Sequence, residues 1–115
     1  MHTADATVVL DHDQLRDITL EDQEMMREIL DALIADTSQQ LALLDAAIRD
    51  QDSERCKRLA HYCKGACANV GANAAAAVLR RMESEALSQA FDQCAESLAA
   101  LGIELERLKT EAQNL

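Results

Sequence analysis

The sequence has no proline, no tryptophan and only three glycines among 115 residues, and its aromatic content is 2%, one Tyr and one Phe. Folds built from short strands and tight turns need Gly, Pro, β-branched and aromatic residues, so this scarcity excludes an all-β fold. No uninterrupted apolar run approaches the roughly 20 residues of a membrane span. The opening MHTADATVVLDHD also lacks the basic-then-apolar layout of a secretory signal. Positive charge is scarce as well: 11 Lys and Arg stand against 21 Asp and Glu, a formal net charge of −10. That balance argues against nucleic-acid or anionic-membrane partners, which require a cationic face. We expect a cytoplasmic chain whose residues 1–115 form a single domain. The opening Met and the lack of a trailing linker favour a free-standing protein. The four cysteines (Cys56, Cys63, Cys67, Cys94) read as reduced, because a chain of this length buries enough surface to fold without staples.

What is abundant is Ala (21) and Leu (16), strong helix formers without helix breakers. Thr19, with Glu21, Asp22 and Glu24 behind it, reads as the N-cap of a long helix over roughly Leu20 to Asp50. In that segment Met26, Ile29, Leu30, Leu33, Thr37, Leu41, Leu44 and Ile48 recur at steps of three and four. A second helix is predicted from Ser53 to Val70, ended by Gly71. A third, capped by Asn73, carries Val78, Leu79, Met82 and Leu87. The fourth bears the seam Phe91, Cys94, Leu98, Leu101, Leu105 and Leu108. Asp11 to Ile18, with Leu15 and Ile18, suggests a short leading helix. The predicted fold is therefore all-α, an antiparallel four-helix bundle with a short extra N-terminal helix.

Charge is unevenly spread. Residues 1–54 carry 14 acids and 3 bases, and residues 83–115 carry 7 acids and 2 bases, whereas Arg55 to Met82 has no acid and six bases. His2 and His12 lie at the chain's start, where solvated residues are expected. His61 sits inside the acid-free stretch. At about 100° per residue, Leu59, Cys63, Ala66 and Val70 fall opposite it, with Cys56 and Cys67 at the margin, which makes that side the core face. Lys57, Arg58, Lys64, Gly65 and Ala68 fall beside it. His61 is thus expected in solvent, ringed by cations that would keep the imidazole neutral and nucleophilic. Gly65, one turn on, opens room for another protein, and Lys64 can reach an anion carried on the ring. An exposed imidazole beside cations is suited to accept a phosphoryl group. The chain has no Gly-rich phosphate loop and no acidic cluster near His61 for Mg²⁺, so donor and metal would come from a partner.

The run HYCKGACANVG at residues 61–71 resembles the signature of histidine-containing phosphotransfer (HPt) domains of bacterial phosphorelays, His-x-x-Lys-Gly-small-small-x-x-apolar-Gly. Helix order and lengths are similar to that family over nearly the whole chain. The resemblance implies that His61 accepts a phosphoryl group from an aspartyl phosphate on a receiver domain and passes it to another receiver. It further implies that Lys64 steadies the group and that Gly65 admits the receiver. The partners would be receiver domains of response regulators or of a hybrid sensor histidine kinase. The protein would need no cofactor of its own, Mg²⁺ being held by the receiver, and would be a monomer without independent enzymatic activity. Lys57, Arg58, Gly65 and Ala68 form the expected partner-binding surface. Three rival readings remain at this stage: a docking bundle that transfers nothing, a zinc site on Cys63, Cys67 and Cys94, and redox sensing by the thiols.

Overall fold

A computed structural model describes residues 5–115; His2 falls outside them. Among the described residues there are five helices and no strand: α1 (His12–Ile18), α2 (Gln23–Arg49), α3 (Ser53–Val70), α4 (Asn73–Leu87) and α5 (Phe91–Gln113). No helix among these residues is long and apolar enough to cross a membrane.

Helix α2 begins later than its sequence suggests. Thr19 closes α1 instead of opening α2: its hydroxyl donates to the Leu15 carbonyl at 2.7 Å. Leu20 and Glu21 then take left-handed backbone, φ +53° and +63°, which no right-handed helix accommodates. Asp22 becomes the cap, accepting from the Met25 amide at 3.1 Å. Asp52 caps α3 in the same way through the Arg55 amide.

The α3–α4 connection is the tightest in the chain. Gly71 ends α3 in the left-handed region at φ +88°, a conformation glycine adopts at little cost. Asn73, expected as the α4 cap, is instead the first helical residue and is buried. The cap position falls to Ala72, which has no side-chain acceptor to offer. The N-terminal segment supplies one instead. The Val8 carbonyl accepts from the Ala74 amide at 2.9 Å, and the Asp11 amide donates to the Gly71 carbonyl at 2.8 Å. An orphan amide at the start of α4 is thereby satisfied by backbone from far away in sequence.

Helices α2 to α5 pack in a closed circuit, α2 on α3, α3 on α4, α4 on α5 and α5 on α2, and α1 lies against α2 and α3. Their shared interior holds Leu30, Leu44, Leu79, Met82, Leu101 and Leu108, all essentially sealed from solvent. The buried Ala74, Ala75 and Ala76 let α4 approach its neighbours closely. On the α2 stripe, Ile29 and Leu41 are only partly buried, as are Phe91 and Leu98 on α5. Leu87 and Ile18, expected to pack inward, are exposed instead. Leu87 is the last residue of α4.

The contrast between two glycines yields a test. A Cβ built on Gly71 would lie 2.9 Å from the Asp11 carbonyl oxygen, whereas one built on Gly65 meets nothing within 4 Å. Gly71→Ala should destabilise the fold by roughly 1–3 kcal/mol. Gly65→Ala should stabilise it by about 0.5–1 kcal/mol. Urea unfolding of both variants checks the opposite signs.

Candidate functional site

The stripe Cys56, Ala60, Cys63, Cys67 and Val70 fixes how α3 sits, since these residues are buried. The core face is therefore turned toward Ala60 relative to the sequence expectation, and Leu59 and Ala66 are only partly buried against it. Helix α4 is the neighbour on which α3 packs most extensively. His61 projects from the opposite side with its side chain 68% exposed. Gly65 and Ala68 follow it along the same exposed face. The Ala68 carbonyl accepts from the Gln14 amide group at 2.7 Å, which brings α1 to the upper edge of that face.

The charge around the ring differs from the expected ring of cations. Glu83 of α4 places its Oε2 2.9 Å from His61 Nδ1, and its Oε1 accepts from Lys64 Nζ at 2.7 Å. Lys64 is half-buried with its ammonium on that carboxylate. Lys57 is also partly buried and lies 3.8 Å from Glu54, while Arg58 is exposed. The hydrogen bonds from Lys64 and, secondarily, from His61 hold the Glu83 carboxyl below the usual carboxylate range, against the opposing effect of its partial burial. An ionised carboxylate can only accept, so Nδ1 must carry the proton in that hydrogen bond. In the neutral ring Nε2 is then left with a free lone pair facing solvent.

Sequence reasoning missed Glu83, although a signal for it exists. It is the first acid after the acid-free stretch, and the connection of α3 to α4 through Gly71 and Ala72 makes residues equally far from the turn face one another. His61 and Glu83 are such a pair. Tyr62 was also missed. Its hydroxyl donates to Asp36 Oδ2 of α2 at 3.0 Å, on the side of His61 away from Glu83.

The remaining histidine and the thiols lie apart from this arrangement. His12 Nε2 is 3.1 Å from Glu111 Oε2 at the exposed end of α5. All four cysteines are buried and free. Burial pushes the thiols of Cys63 and Cys94 up to about 12 and that of Cys67 up to about 11, far from the thiolate form that reacts with oxidants or metals. The Cys94 thiol points to the Met82 carbonyl at 4.0 Å, and Cys56 on α3 cannot reach Cys94 on α5 easily, since these helices bring no two Cα atoms within 8 Å. A disulfide there would require backbone movement, because bridged Cα atoms lie within about 7 Å. Among the described residues no group of three or more His, Cys, Asp or Glu is placed to hold a metal ion.

An all-helical chain presenting an exposed histidine of this motif falls in the class of helical phosphotransfer modules, and comparison with known proteins agrees. The family model described as Hpt domain matches residues 28–111. The chain belongs to the Hpt family, the histidine-containing phosphotransfer domains of two-component phosphorelays. The structure is similar to the crystal structure of histidine-containing phosphotransfer protein B from Pseudomonas aeruginosa PAO1, with a TM-score of 0.82 and 22% identity. The similarity covers 93% of this chain and 96% of that one, and it supports the shared fold. A search of curated proteins finds no significant match.

Two tests follow from the electrostatics. Because the Glu83 pKa is lowered on folding, the group adds stability that is present above the ordinary carboxylate range and lost as pH falls through its lowered value. The stability advantage of the native protein over Glu83→Gln should be seen at pH 7 and shrink progressively as pH falls below the ordinary carboxylate range; urea unfolding at a series of pH values measures it. In the folded protein the four thiols should react with a disulfide reagent at pH 8 far more slowly than after unfolding. Rapid native-state reaction of Cys63 or Cys94 would revive the redox reading.

Proposed function

We propose that this protein is a phosphorelay intermediate whose acceptor atom is Nε2 of His61. The observation that carries the reading is the hydrogen bond from His61 Nδ1 to Glu83, which leaves the outer ring nitrogen bare on an exposed helix face. The Nε2 lone pair attacks the phosphorus of an aspartyl phosphate on a receiver domain. The N–P bond forms as the bond to the aspartyl oxygen breaks, and the receiver's carboxylate leaves. The ring becomes positively charged during this step, and its Nδ1 proton stays against the Glu83 carboxylate, which offsets that charge. Transfer to a second receiver is the reverse step.

Lys64 turns from Glu83 to the phosphoryl oxygens once they arrive, as a flexible ammonium can. Gly65 and Ala68 leave space for the receiver's phosphorylation site, a role supported by the open surroundings of Gly65. Lys57 and Arg58 attract the acidic pocket that a receiver presents. Mg²⁺ is brought by the receiver, and the chain acts as carrier rather than as a self-sufficient enzyme. The closed circuit of α2 to α5 supports an antiparallel four-helix bundle with α1 as an extra N-terminal helix. Residues 1–115 serve as one phosphotransfer domain, monomeric and cytoplasmic, working with the receivers of response regulators or of a hybrid kinase.

The test is transfer from a receiver charged on its aspartate. The native protein should acquire an acid-labile, base-stable label, and His61→Gln should acquire none while keeping its helical content and unfolding midpoint. Replacing Gly65 by Leu should cut transfer by about tenfold or more through steric exclusion, yet leave the fold at least as stable. Undiminished labelling of His61→Gln would overturn the assignment.

A further inference from the structure

Tyr62 is the one tyrosine in a chain nearly devoid of aromatics, and it stands next to the phosphoacceptor with 55% of its surface exposed. Its own fold makes little use of the ring, since burying the aromatic face would have been worth more than leaving it in water. The hydroxyl is nevertheless anchored, donating to Asp36 Oδ2 at 3.0 Å and so pinning the ring between α3 and α2. The Asp36 carboxylate also pushes the phenol above its ordinary pKa, so Tyr62 remains a neutral donor and the anchor persists across physiological pH. Together with Lys57, Arg58, His61 and Glu83, the ring lines one open depression in the surface.

The two sides of this depression differ in chemistry. Glu83 and Lys64 form a hydrogen-bonded pair on the α4 side, where charge meets the phosphoryl group. The α2 side offers an apolar ring backed by the Asp36 carboxylate. Aromatic side chains held in place before binding lose little freedom on docking and dominate interface energetics.

We infer that Tyr62, held by Asp36, is a partner-selecting contact. It favours receiver domains that present an apolar surface beside the phosphoaspartate pocket and disfavours those with an acidic side chain there, which would face Asp36 across a desolvated ring. The inference rests on the phosphotransfer reading above and adds to it the feature by which receivers are told apart. The Tyr62 hydroxyl is committed to Asp36 while the His61 ring is held by Glu83, so the contribution of Tyr62 falls on docking and not on chemistry.

The experiment measures transfer rate against concentration of a phosphorylated receiver that labels the native protein, for the native chain, Tyr62→Ala, Tyr62→Phe and Asp36→Ala. Tyr62→Ala should raise the half-saturating concentration about tenfold or more while the saturated rate stays within about twofold. Tyr62→Phe and Asp36→Ala keep the ring but free it, and should raise the half-saturating concentration about two- to threefold. Superimposable curves for Tyr62→Ala and the native protein would overturn the inference, as would a loss confined to the saturated rate. Failure of the phosphotransfer reading has a different signature: the native protein itself takes no label from any receiver.

Discussion

One carboxylate organises the exposed face of this molecule. Glu83 reaches across from α4 to take the ammonium of Lys64 with one oxygen and the ring N–H of His61 with the other. Each of the three groups alone would be mobile on a solvated helix. Joined, they have one arrangement, in which the tautomer of the imidazole is set by an acceptor that cannot donate. The pairing is partly shielded, the Glu83 side chain being 20% exposed, so it is screened less than a surface ion pair. In the proposed function this carboxylate is a positioning residue, selecting which nitrogen is free and compensating the charge that the ring gains.

That bridge exists only because α3 and α4 lie close and in one register. Alanines at 74, 75 and 76 remove the side chains that would hold the helices apart. Gly71 turns the chain within two residues, at a backbone angle and a distance from Asp11 that a Cβ would violate. The N-terminal segment locks the turn by lending the Val8 carbonyl to the start of α4. A small-residue helix, a left-handed glycine and a backbone strap thus set the spacing at the site from about three turns of helix away. Gly65 follows the opposite logic: the fold leaves its position open, so its cost to helix stability finds no compensation inside the molecule.

Much of this was legible in the sequence because it is periodic or local. The seam of α5, the exposure of His61 and the stop at Gly71 follow from spacing and from the properties of single residues. What was not legible depends on pairing between distant segments. The start of α2 moved because Thr19 finds the Leu15 carbonyl and Leu20 and Glu21 go left-handed. Asn73 was not needed as a cap because Val8 supplies one. The ring of cations around His61 was incomplete as read, since helical angles locate neighbours on α3 but say nothing of α4. Glu83 and the Tyr62–Asp36 contact are both cross-helix facts, and both required the register of the packed helices.

The central claim is that Glu83 holds the proton on Nδ1 and leaves Nε2 as the reacting atom. Nitrogen-15 NMR of the His61 imidazole, before and after phosphorylation by a charged receiver, tests it most directly. The expected result is that the neutral form of the ring carries its proton on Nδ1 in the free protein, with phosphorus bonded to Nε2 afterwards. A neutral ring with its proton on Nε2 instead, or phosphorus found on Nδ1, would contradict it.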